Sequence, residues 1–128
     1  MGVSIVSKTN FKELKIWQIA KDIAVDVYKI TDSSSIKNDF SLRDQMRRAA
    51  VSIASNIAEG NDRESNKEFI RFLYISKGSC SELITQLMIA KEIGYIGSIE
   101  ADALEEKIQK ASQMIGSLIK SLYKLVNE

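Results

Sequence analysis

Seven polar residues recur at helical spacing in the middle of the chain: Gln45, Ser52, Asn56 and Glu59, then Ser79, Glu82 and Gln86. Steps of three, four and seven residues place each set on one face of a helix. The chemistry open to such a stripe is carboxylate and amide chemistry. Antiparallel packing that brought Glu59 towards Glu82 would make a pair able to hold magnesium or manganese, or to act as acid and base. The competing expectation is a hydrogen-bonded network within a helical bundle or at a subunit interface, where polar groups fix register and oligomer state.

Basic residues gather in two places, Arg43, Arg47 and Arg48, and Arg63, Lys67 and Arg71, the second group at steps of four. Guanidinium and ammonium groups in such clusters neutralise nucleic-acid phosphates, and an oligomer would multiply them into a ring. Asp44, Glu64 and Glu68 stand beside them, so a self-neutralised, solvated face is the alternative. Arg47 and Arg48 are adjacent and cannot both point outward, and one is expected to meet a carboxylate.

Much other chemistry is closed. There is no histidine, which removes Glu-x-x-His di-iron bundles and hydrolases with an imidazole base. A single cysteine, Cys80, excludes thiolate zinc clusters and an internal disulfide. Its neighbours Ser79, Ser81 and Glu82 do not activate a thiolate, so it reads as a core residue. No phosphate-binding glycine loop is present. The expectation is a protein that is not an enzyme, with no catalytic residue, metal, cofactor or small-molecule substrate.

The elements that carry these residues are helices. Four segments repeat apolar residues every three or four positions, and none alternates with the period of a strand. The first runs from Phe11 or Leu14 to Ile30, with Ile16, Ile19, Ala20, Ile23 and Val27 inward, and the run Asp32 to Ser35 ends it. Trp17 and Tyr28 share a side of it, either extending the apolar surface towards a partner or closing the edge of the core. The second starts with Ser41 as N-cap, followed by Asp44, and stops at Gly60. The third opens on the capping box Ser65 and Glu68 and ends at Gly94; the fourth is capped by Ser98 and reaches Leu125. Gly78 and Gly116, inside helices, are expected to mark close approach of two backbones.

Short connections between consecutive helices imply an all-α, up-down-up-down antiparallel four-helix bundle. At 128 residues the chain fits one domain spanning 1–128, with residues 1–10 as a loose tail or docking arm. Hydrophobic residues at 45% and charged residues at 27% suffice for a packed core and exclude a disordered chain. No apolar run approaches the roughly 20 residues of a membrane span and the N-terminus lacks a secretory pattern, so a cytoplasmic protein without a membrane partner is expected. A net charge of +1 singles out no partner.

Four passages together carry a resemblance: Phe11-Lys-Glu-Leu14 with Ile16-Trp-Gln18; Gln45-Met-Arg-Arg-Ala-Ala-Val-Ser-Ile53; Ser55-Asn-Ile-Ala-Glu-Gly60; and Gly78-Ser with Glu82-Leu83. Between Phe11 and Leu125 the chain resembles the bacterial four-helix bundles encoded by intervening sequences within 23S ribosomal RNA genes. The resemblance implies up-down bundles that assemble into homo-oligomers, pentamers in particular, and a family whose function is not assigned. A related branch is similar to the accessory variability protein of diversity-generating retroelements, a pentameric barrel that binds nucleic acid and a reverse transcriptase. Where the family commonly has proline, this chain has Ala54, which predicts an unbroken second helix.

Two functional expectations follow. The first is a non-catalytic oligomeric bundle that binds RNA, DNA or a ribonucleoprotein, with Arg43, Arg47, Arg48, Arg63, Lys67 and Arg71 on phosphates. The alternative is a structural, protein-interaction module with no nucleic-acid role. Metal-assisted hydrolysis by Glu59 and Glu82 stands third.

Overall fold

The computed structural model describes residues 9–126. A 3-10 turn, Phe11–Glu13, precedes α1 (Lys15–Ser33); a second, Ser35–Asn38, leads into α2 (Phe40–Asn61), then α3 (Asn66–Ile93) and α4 (Ser98–Val126). The helices form a closed square: each packs on its neighbours in the chain, and α1 also packs on α4. The α2–α3 pair runs antiparallel, since the Ser79 hydroxyl donates to the Ser52 hydroxyl at 2.9 Å while Ser76 Oγ donates to the Ile53 carbonyl at 2.8 Å. Lys91 to Asp102 and Lys107 to Asp26 tie α3 to α4 and α4 to α1.

The expected periodicity fills the interior. Ala20, Ile23 and Val27 of α1, Met46, Ala50, Ile53 and Ile57 of α2, Leu73, Cys80 and Leu83 of α3, and Ile108, Ala111 and Ile115 of α4 are fully buried. Interiors of this kind pack like organic crystals, so a change of a single methylene is felt. Two buried hydroxyls are satisfied by backbone: Thr31 Oγ1 donates to the Val27 carbonyl at 2.6 Å, and Ser76 does so across to α2.

Helix ends correct several expectations. The first helix does not stop at Ile30: α1 continues to Ser33, and the Thr31 and Ser33 hydroxyls bond back onto carbonyls four residues earlier. Its start is interrupted at Leu14, which is extended. Ser41 lies inside α2; the N-cap is Asp39, whose Oδ1 accepts from the Leu42 amide at 3.1 Å. The other carboxylate oxygen accepts from the Tyr95 hydroxyl at 3.1 Å, so one aspartate caps α2 and holds the α3–α4 connection. That bond to Asp39 raises the Tyr95 hydroxyl above its ordinary pKa.

Gly60 does not end α2 through a left-handed turn. It is buried one residue before the end, and a Cβ there would sit 2.7 Å from Phe72 Cβ and 2.9 Å from Phe69 Cδ1, so the residue exists for the crossing of α2 and α3. Gly94 does take the left-handed cap, with φ of 91°. Ser65 caps α3 by accepting from the Glu68 amide at 3.1 Å. Ser98 is the first residue of α4 rather than its cap. Past Ala54, α2 continues unbroken.

Residues 1–8 of the expected tail lie outside the described residues. Thr9 and Asn10 are tied down: Asn10 caps the first 3-10 turn, and the Thr9 carbonyl accepts from Asn61 Nδ2 at 2.8 Å. Trp17 closes the edge of the core, half-buried with its ring centroid 5.2 Å from that of Phe11. No described helix is long and apolar enough to cross a membrane.

Candidate functional site

The polar stripe splits along the α2–α3 seam. Ser52, Asn56 and Ser79 meet at its centre, where Asn56 Nδ2 donates to the Ser52 carbonyl at 2.8 Å and to its hydroxyl at 2.9 Å. Gln45, Glu82 and Gln86 line a groove nearer the start of α2, together with Phe40, Ser41, Asp44 and Arg48. Only Gln86 of the stripe is buried; its Oε1 has no partner among the described residues. Gln45 is exposed and donates to Ser41 Oγ at 3.2 Å.

Glu59 and Glu82 are not a pair. With Ser52 opposite Ser79, Glu82 faces the turn of α2 around Ala49, and Glu59 stands about 15 Å further along the axis. Glu59 instead accepts from Arg63 at 3.0 Å, as surface pairs four residues apart do. Antiparallel packing placed these carboxylates on one seam but in different registers, and register was not readable from spacing within each helix. Among the described residues, no three acidic, cysteine or histidine side chains gather to hold a metal ion.

The six basic residues do not form one patch. Arg43 and Arg63 stand at opposite ends of α2, about 30 Å apart. Three are neutralised within the chain: Arg43 by Asp44 at 2.9 Å, Arg63 by Glu59, and Arg71 by Glu68 through two bonds of 3.1 and 3.2 Å. The Arg71 bond holds the Glu68 carboxyl below its usual value. Arg63 and Arg71 also lie over the Phe72 ring, at 4.8 and 4.6 Å from its centroid. Arg47 turns to α1, donating to Thr31 Oγ1 at 2.9 Å and covering the Tyr28 ring at 4.6 Å. It meets a hydroxyl and an aromatic face where a carboxylate was expected, and Tyr28 serves as its platform. Arg48 and Lys67 have no ion pair among the described residues.

Two features were missed by the reading of spacing. The first is a second apolar stripe on α3: Ile75, Ile89 and Ile93 are 44%, 43% and 58% exposed, on the side facing away from the core. Gly78 lies between them, and a Cβ added there would meet nothing within 4 Å, so the close approach expected of it does not occur within one chain. Gly116 likewise has only Lys77 Cε at 3.5 Å, an ordinary contact.

The second is a groove on the α3–α4 seam, lined by Lys67, Glu68, Ile70, Arg71, Tyr74, Tyr123 and Val126. Hydrogen bonding to Tyr123, followed by burial, raises the Tyr74 hydroxyl above its ordinary pKa. The sequence did hold a signal for this face: residues 69–81 and 111–127 contain no Asp or Glu, yet include Arg71, Lys77, Lys120 and Lys124. The two tyrosines, 49 positions apart, meet only because α3 and α4 are antiparallel.

The fold has a solved counterpart. A crystal structure of a protein of unknown function from the S23 ribosomal protein family of Bacteroides thetaiotaomicron superposes with a TM-score of 0.75, at 22% identity, covering 82% of this chain and 98% of that one. At that identity the likeness speaks to the fold alone. No curated protein matches the chain. The family model for the 23S rRNA-intervening sequence protein matches residues 12–117, which takes in α1, α2, α3 and most of α4, and the chain therefore belongs to the 23S rRNA-intervening sequence protein family.

Proposed function

We propose that the protein is a non-catalytic, cytoplasmic assembly module whose copies pack through the outer face of α3 beside α2. The observation that carries this reading is the double-sided character of α3. A helix apolar on one stripe is satisfied by its own bundle; one apolar on two sides needs a second covering surface. Ile75, Ile89 and Ile93 supply the apolar area. Gly78 costs about 1 kcal/mol relative to alanine in an exposed helix interior, and a partner backbone against it would offset that loss. Five copies are the number expected from the resemblance. Light scattering of the native particle is the test: a multiple of the 14.3 kDa chain is expected, reduced to a monomer in Ile75→Arg/Ile89→Arg with helical circular dichroism retained. A monomeric wild-type protein sinks the reading.

Nucleic-acid binding is the second reading, favoured by a specific observation. Lys67, Lys77, Lys120 and Lys124 have no ion pair among the described residues, and they occupy or border the stretches of α3 and α4 free of carboxylates. Unopposed lysines on one side of a molecule of modest net charge make a binding face where paired arginines do not. Affinity for nucleic acid that falls steeply with salt supports it; no retention of RNA or DNA at low salt removes it.

A further inference from the structure

We propose that the α3–α4 groove binds unpaired nucleotides, with bases stacked on Tyr74 and Tyr123 and phosphates held by the lysines around them. This rests on the nucleic-acid reading and gives it a surface and a strand type. The groove encloses about 460 Å³, on the scale of a ligand pocket. Tyr74 is 51% exposed and Tyr123 43%. The core does not require either ring.

The charges around the rings are arranged as the proposal needs. Lys67 lines the groove with Arg71, and Lys77 reaches across the seam to Gly116 of α4. Lys120 precedes Tyr123 by about one turn and Lys124 follows it directly, both exposed. Among the described residues Glu68 is the one carboxylate lining the groove, and two bonds from Arg71 engage it. Lys67 and Lys77 are about 15 Å apart along α3, a span that tracks a short run of backbone.

Aromatic faces beside a cationic track are the recognition elements for single strands, because every unpaired base has a face to stack while a duplex hides them. An acidic peptide would use the same lysines but has no planar group for the tyrosines.

The experiment is fluorescence anisotropy on the full chain with a labelled single-stranded RNA 12-mer, the DNA of the same sequence, its duplex, and polyglutamate of equal charge. Measurements are made at low and moderate salt. Single strands are expected to bind more tightly than duplex or polyglutamate. Tyr74→Leu/Tyr123→Leu is expected to weaken them by about tenfold per ring, whereas Tyr74→Phe/Tyr123→Phe keeps the affinity. Lys67→Ala/Lys120→Ala, on exposed positions, should flatten the salt dependence and provides a test that does not alter the rings. Single-strand binding unchanged in the leucine variant, or equal binding of duplex, overturns the tyrosine site and leaves the nucleic-acid reading standing, whereas equal binding of polyglutamate overturns both. No binding of any strand at low salt overturns both.

Discussion

Asp39 shows how much one side chain can hold. Its two carboxylate oxygens accept from the Leu42 amide and from the Tyr95 hydroxyl, so Asp39→Ala removes an N-cap and a tertiary anchor together. A loss of about 1 kcal/mol is typical for the cap alone, and chemical denaturation should read at least that, with Tyr95→Phe reproducing only part. Ser41 and Asp39 are both good N-caps in sequence; what selects Asp39 is a residue 56 positions away, which no local pattern reveals. Cys80 was legible as a core residue from its neighbours. Burial pushes its thiol from 9.0 up to about 11. The folded chain therefore holds the proton more tightly than the unfolded chain does, so stability is full below about pH 9 and falls as pH rises through about 11. The slope it adds is at most about 1.4 kcal/mol per pH unit. Denaturation at pH 8 and 10.5 should show a larger drop for the wild type than for Cys80→Ala, and thiol alkylation should require unfolding.

At the scale of the helix, two glycines have roles opposite to those their sequence positions suggest. Gly60→Ala forces a methyl to within 2.7 Å of Phe72 Cβ, and the seam of α2 and α3 must open; a loss of about 1–3 kcal/mol is expected in thermal or denaturant melts. Gly78→Ala adds a methyl to open space and should raise the stability of the isolated bundle by up to about 1 kcal/mol. In a particle packed through this face it should weaken assembly instead, so analytical ultracentrifugation of the same variant separates the two effects. Helix existence, core faces and the caps at Ser65 and Gly94 were readable because each is encoded within one or two turns. The polar stripe was readable as a face but not as a site. Its division into a Ser52–Asn56–Ser79 cluster and a Gln45–Glu82–Gln86 groove depends on how far α3 slides along α2, and that is set by buried side chains such as Phe72 against Gly60. The basic residues stay in two separate places for the related reason that α2 and α3 run in opposite directions, which carries their two N-terminal ends apart.

For the whole molecule, the square of helices leaves its seams unequal. The α2–α3 side has the exposed apolar stripe of α3; the α3–α4 side has two tyrosines and lysines with no ion pair among the described residues. Assembly through the first would leave the second facing outward, so removing self-association by Ile75→Arg/Ile89→Arg should leave single-strand affinity per chain within a few-fold while abolishing any gain from multivalency. A filter-binding titration of that variant against the wild type checks this. The exposed ion pairs, Glu68 with Arg71 among them, contribute little to folding. The lowered Glu68 carboxyl works only above its ordinary titration range and its contribution disappears as pH falls through it, more so at low ionic strength.

The chain has a single tryptophan, and Trp17 sits at the rim, edge-on to Phe11 of the N-terminal turn, while the next residue, Gln18, holds the Lys12 carbonyl at 2.9 Å. Its emission is thus an optical gauge of how that N-terminal turn is seated, separate from the far-ultraviolet signal of the four helices. Release of the arm would redden the fluorescence while the ellipticity stays constant, and a partner that grips or displaces the arm can be followed in real time without attaching any dye.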